Sequence, residues 1–295
     1  GDTTVREIRL DVKPDGDGWQ IDRADAILPG RTTLEAKGRL MLKTNRGFVG
    51  DLLVASNQPS GLATWLAGSV DPEIRKLKTA GFSAEVSLTD ELQRFENLEI
   101  AIGGASLLGR MERESRADVA PTLSLQLRGN EVALESLQAL VGLVAGDASL
   151  SAVLDHSMAL DIRADRFLAF GESASGVNAA LSVKDGLMTL SRLNIASLEG
   201  AALSASGTLG GSLLAPSAGL DMTVKAAAMR PVAELLSRHL PAHPMLARFL
   251  AAAGYYDNAD LAVRLAFSGA AADPATLAIS GPVNDGRVEI KLSAT

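Results

Sequence analysis

A chain of 295 residues with a net charge of -7 and no cysteine excludes several classes at the outset. It is too acidic to neutralise a phosphate backbone, so nucleic acid is not an expected partner, and without Cys it has no disulfide, thiolate nucleophile or Cys-based zinc site. Apolar residues make up 47% of the chain, which argues against disorder, while aromatics at 4% are fewer than a compact enzyme core draws on.

Val5, Ile8, Leu10 and Val12 predict a first strand, turned by the Pro/Asp/Gly cluster at 14–18. Trp19 opens the next strand and leads into a phrase that recurs along the chain. Residues 21–40 read IDRADAILPGRTTLEAKGRL, with Ala24, Ala26 and Leu28 before Gly30, then Leu34, Ala36 and a closing Gly38. This is a strand, a turn and a second strand, each with one apolar face. Leu40 and Leu42 continue it, Asn45 to Gly47 turn it, and Phe48 to Ala55 run back. Pro59 then opens a helix striped by Leu62, Trp65, Leu66 and Val70, and Asp71-Pro72 starts another short turn carrying Ile74 and Leu77.

Strands resume with Phe82, Ala84, Val86 and Leu88. The phrase returns at 95–111, FENLEIAIGGASLLGRM, with Leu98, Ile100 and Ile102 before the glycines, then Leu107 and a closing Gly109. The charged stretch RMERESRADVAP at 110–121 reads as a solvated hairpin tip. Leu123, Leu125 and Leu127 alternate up to Gly129, and Asn130 caps a predicted helix striped by Leu134, Leu137, Val141 and Val144. Next come strands at Leu150–Leu154, Met158–Ile162 and Val177–Val183. The third copy of the phrase follows at 190–209, LSRLNIASLEGAALSASGTL, turning at Gly200 and stopping at Gly207. After a strand with Leu220, Met222 and Val224, Pro231 starts a helix with Val232, Leu235, Leu236 and His239. Pro241 breaks it before a second short helix of Leu246, Phe249, Leu250 and Ala253. The chain ends in strands at Leu261–Phe267, Leu277–Ile279 and Val288–Leu292.

This order predicts a mainly β protein: about seventeen strands in an elongated, curved antiparallel sheet folded into an apolar trough, with three short helical segments inserted. Short connections favour antiparallel neighbours, and open sheets rarely exceed about ten strands without curling or splitting. A packed array of β-sandwiches satisfies the same alternation and is the alternative. Residues 1–295 read as one repetitive module with sub-units near 1–78, 79–146 and 147–295. No apolar run approaches the roughly 18 residues of a membrane span, and no signal peptide opens the chain. Beginning with Gly1 and no Met, it reads as a piece of a longer protein, with any membrane anchor outside it.

Catalytic patterns are thin. His239 and His243 are spaced for one helix face, but Pro241 and Pro244 interrupt that segment and no third ligand cluster is nearby. His156 falls in a predicted turn. GTLGGS at 207–212 lacks the Lys and the following helix of a phosphate loop, and GxSxG and HExxH are absent. No catalytic residue, cofactor or metal is expected, and the chain is not read as an enzyme.

The repeated phrase, the Ala/Leu/Gly/Ser-rich composition and the short helices between strand runs, as in NEVALESLQALVGLVAG and MRPVAELLSRHL, together resemble the AsmA family of Gram-negative envelope proteins, to which TamB-like and YhdP-like proteins are related. The resemblance covers essentially the whole chain and implies a β-groove, a periplasmic location in an inner-membrane-anchored protein, and transport of phospholipid towards the outer membrane. The apolar side chains then become candidates for a lipid-facing wall: Phe82, Val86, Leu88, Leu98, Ile100, Ile102, Leu123, Leu125, Leu127, Met158, Leu160, Ile162, Leu193, Ile195 and Leu203. The alternative is a structural or outer-membrane assembly module in which the same residues form a dry sandwich core. Phospholipid or another acyl-chain ligand is the expected partner; the residues name no protein partner.

Overall fold

The structure, a computed structural model, describes residues 4–43, 46–68, 75–115, 121–137, 157–212, 215–268 and 275–294. The strand predicted at Leu150–Leu154, the turns at His156 and at Asn45, the later part of the helix after Asn130 and the start of the short turn at Asp71 lie outside these residues. The chain divides into two compact units, Gly1–Leu160 and Asp161–Thr295.

The first unit carries β1 (Arg6–Asp15), β2 (Gly18–Leu28), β3 (Thr32–Met41), β4 (Gly47–Ser56), helix α1 (Pro59–Ala67), β5 (Ala80–Thr89), β6 (Leu92–Ile102), β7 (Ala105–Glu114) and β8 (Thr122–Ala133), followed by a helical turn at 134–137. Strand β9 (Ser157–Ala169) leads into the second unit. There β10 (Glu172–Lys184), β11 (Leu187–Leu198), β12 (Ala201–Ser212) and β13 (Ala215–Ala226) precede α2 (Arg230–His239), α3 (Pro244–Ala251) and a 3-10 turn at Ala253–Tyr256. Strands β14 (Ala259–Phe267), β15 (Ala275–Val283) and β16 (Gly286–Ala294) complete it.

All sixteen strands belong to one sheet in which strand order is chain order. The pairings from β1 to β8 and from β10 to β16 are antiparallel. A sandwich needs a second sheet, and the strands of the described residues form a single sheet. The hairpin tips explain part of this regularity. Phe170-Gly171, Asp185-Gly186 and Glu199-Gly200 all have positive φ at both central residues, and such turns match the right-handed twist of the strands they join.

The three copies of the repeated phrase share a device that strict alternation conceals. Their closing glycines do not stop the strands: β3, β7 and β12 run on past Gly38, Gly109 and Gly207. Each glycine sits where the next strand's backbone crowds in. A Cβ there would come within 2.2 Å of Val49 O, 1.8 Å of Gln126 O and 2.0 Å of Gly219 O respectively. Opposite each glycine the partner strand bulges. The register slips between Ile21 and Ala24, between Phe95 and Leu98, and between Leu190 and Leu193. An extra residue in one strand beside a side-chain-free position in its neighbour bends the ladder sharply. Repeated, that bend curls the sheet.

The helices sit at strand ends. Pro59 begins α1 as predicted, and Gly68, with φ 71, ends it by donating its N–H to Thr64 O. Gly61 lies against Gly30 of the β2–β3 turn, where a Cβ would meet Gly30 Cα at 2.9 Å. Beside this contact the hydroxyls of Thr32 and Ser56 lie 2.8 Å apart, accepted by Pro29 O and Gly30 O at 2.9 and 3.2 Å.

Candidate apolar binding face

The bulges keep the apolar ladders on either side of them on one face. In the first unit one ladder across the sheet runs Ala26, Leu34, Val54, Phe82, Ile100 and Leu107. A second joins Val86, Phe95, Met111 and Leu125. In the second unit a ladder runs Val177, Ile195, Leu203, Val224 and Leu261, and its neighbour runs Ala179, Leu193, Ala205, Met222, Val263, Ile279 and Ile290. That last ladder crosses seven strands, roughly 29 Å at the usual strand spacing of about 4.8 Å.

Burial separates the two units. Val86, Leu98, Ile100, Ile102, Leu125 and Leu127 are buried, and Leu107 has no exposed surface. Phe82, Leu88, Leu123, Met158 and Leu160 are half-buried. In the second unit Ile162 is buried, but Leu193, Ile195 and Leu203 are half-buried, and so is every other member of the seven-strand ladder. No second sheet layer covers that ladder among the described residues.

One end of the second unit's face is covered by α2, α3 and the 3-10 turn. Ala201, Ala226 and Ala259 pair across β12, β13 and β14 as a row of small side chains, which lets the helices approach closely. Together with Met229 and Val283 they form a buried cluster, against which Val232, Phe249, Tyr256, Leu203, Val224 and Leu261 pack. The rings of Phe249 and Tyr256 lie 5.5 Å apart. At the other end of these strands Leu187, Leu209 and Leu292 are exposed.

The polar face carries a hollow in each unit, as a twisted sheet is saddle-shaped and therefore concave on both sides. In the first, about 600 Å³, Asp22, Asp25, Glu35, Asp51, Glu85 and Glu99 outnumber Arg23 and Lys37. In the second, about 610 Å³, Arg192, Asp221 and Arg264 stand among Ser204, Ser206, Thr223 and Ser280. Arg264 donates to Asp221 at 2.7 Å and Arg192 to Asp161 at 3.1 Å, so these charges are already paired. The two helical histidines have separate local roles. His239 Nε2 lies 2.9 Å from Glu172 Oε1, while His243 Nδ1 accepts from Met245 N at the start of α3. Arg238 also donates to Glu172, and these two partners hold the Glu172 carboxyl below its ordinary value, the His239 hydrogen bond being the larger cause.

The wall candidates chosen from the sequence leave out Phe95, Met111, Ala205, Met222, Val263 and Ile279, which share ladders with them. A signal for the bulges was available: Ile21-Asp-Arg-Ala24, Phe95-Glu-Asn-Leu98 and Leu190-Ser-Arg-Leu193 each place two polar residues between apolar ones, which strict alternation forbids. Comparison with known protein families, curated proteins and solved structures finds no match to this chain. Among the described residues, no helix is long and apolar enough to cross a membrane.

Proposed function

We propose that the apolar face of the second unit binds acyl chains, and that this chain is a non-enzymatic module that shields phospholipid during its transfer between the inner and outer membranes of a Gram-negative envelope. The observation that carries the proposal is the half-exposed ladder from Ala179 through Leu193, Met222 and Ile279 to Ile290. A soluble protein gains by covering such a strip, and contiguous apolar surface of this kind marks an interaction site. Leaving a sixteen-carbon acyl chain in water costs on the order of 12 kcal/mol, at about 0.8 kcal/mol per CH₂. Leu, Ile, Val, Met and Ala along the strip offset that cost without forming a deep pocket, which suits loose holding and onward movement. A periplasmic setting and an anchor elsewhere in the parent protein belong to the same proposal, through the resemblance to AsmA-like proteins.

The first unit supports a structural role for its own face, since Leu98, Ile100, Leu107, Leu125 and Leu127 have almost no surface left for a ligand. Native mass spectrometry of detergent-free protein, with fluorescent phospholipid uptake, tests the proposal. Bound phospholipid that is lost in Met222→Asp while the thermal melt persists is the expected result. Protein free of lipid that takes up none overturns it.

A further inference from the structure

The helical insert over the second unit's face is held in two different ways at its two ends. Its base is built into the sheet. Met229 N donates to Asp257 Oδ1 at 2.7 Å, Asn258 N to Ala227 O at 3.0 Å, and Asn284 N to Asp257 O at 2.8 Å. Asn284 Nδ2 reaches Tyr255 O, and Ala233 and Ala253 are buried. The elbow between α2 and α3 is the opposite: ten consecutive residues from Leu236 to Met245 are all exposed. Its side-chain hydrogen bonds to the sheet come from Arg238 and His239. Arg238 donates to Glu172 Oε1 and Oε2 at 3.0 and 3.2 Å and to Glu199 Oε1 at 3.0 Å, and His239 Nε2 meets Glu172 at 2.9 Å. Glu172 and Glu199 lie at the tips of the β9–β10 and β11–β12 hairpins.

We infer that the insert is a hinged flap: α2 and α3 pivot on the Met229–Asp257–Asn284 base, and the Arg238/His239 latch holds them down over the Ala201–Ala226–Ala259 row. Exposed ion pairs are individually weak and salt-screened, whereas a buried base with backbone hydrogen bonds is not, so the latch end opens first. Opening bares the alanine row and lengthens the apolar strip at its covered end. This inference deepens the acyl-chain reading, because the flap would regulate access to that same face, and the movement itself is measurable without lipid.

The chain has no cysteine, so a single introduced thiol reports alone. In Ala226→Cys the thiol lies beneath the flap, and in Val183→Cys it lies buried near the far end of β10 from Glu172. Arg238→Ala with His239→Ala removes the latch while keeping good helix formers in α2. Maleimide labelling at Ala226→Cys is expected to rise on the order of tenfold in the latch variant, and likewise in high salt, with labelling at Val183→Cys unchanged. Equal acceleration at both thiols means general loosening and overturns the flap, as does no acceleration at Ala226→Cys. Fluorescent phospholipid uptake separates gating from movement. Faster uptake in the latch variant supports gating, and selective labelling without faster uptake overturns it. If neither parent nor latch variant takes up lipid, the acyl-chain reading fails while the thiol result still decides whether the flap moves.

Discussion

Strands β5 to β8 and strands β11 to β16 are built from the same alternating hairpins, yet their apolar faces differ. In the first region the central side chains are buried, from Val86 and Ile100 to Leu107 and Leu127. In the second, Leu193, Ala205, Met222, Val263, Ile279 and Ile290 all keep part of their surface. Local chemistry does not account for the contrast, since both regions draw on Leu, Ile, Val and Ala with a bulge opposite a glycine. The difference is one of cover. A face that is closed contributes stability, and one that is half-open retains surface for a ligand.

Substitutions that place a charge on each face should break this comparison most sharply. Leu125→Asp buries a carboxylate with no partner and should cost at least about 3 kcal/mol, enough to unfold the protein or nearly so, as read by chemical denaturation. Met222→Asp, on the half-open ladder, should cost clearly less in the same assay; an equal loss would mean the second face is as closed as the first. Truncation should rank in the same order: Leu107→Ala is expected to cost about 2–5 kcal/mol through the cavity it leaves, and Ile195→Ala less. Gly109→Ala tests whether the bulge-and-glycine bend is structural. Its Cβ would meet Gln126 O at 1.8 Å, so a loss of about 1–3 kcal/mol is expected from overpacking, with reduced strand signal in circular dichroism.

The smallest effect belongs to the latch. Glu172 is held below its ordinary value of about 4.5 by His239 and Arg238. Its contribution is therefore present above that value and is lost as the pH falls below it, through the lowered folded value. Thermal melts between pH 6 and pH 3 should show a slightly shallower acid loss in Glu172→Gln than in the parent, and no difference at pH 6 beyond the lost ion pair.

Much of the architecture was legible in the residues. Alternation located the strands, Pro59 and Pro231 marked helix starts, and Gly103-Gly104 in 95–111 and Gly200 in 190–209 placed the hairpin turns. The reading of Gly109 and Gly207 as strand stops was wrong for a physical reason. A glycine in a strand can mark a close approach by the next backbone as well as an end, and that neighbour's position is not local information. His239 carried a similar ambiguity. Its spacing from His243 fits one helix face, but Pro241 and Pro244 argued against a shared metal, and its observed partner is Glu172, 67 residues away.

The sequence by itself determined which side chains share a face, because the two-residue period of a strand and the polar pairs at the bulges are written in consecutive residues. It also determined that helices would interrupt the strand runs, through proline and the shift to helical spacing. Only the tertiary structure decided that the strands join one sheet in chain order, that the Leu125 face is closed, and that the Leu193 face is covered, among the described residues, at one end. Burial depends on what lies opposite a residue across tens of ångströms, and a side chain's own sequence neighbours carry no record of that distance.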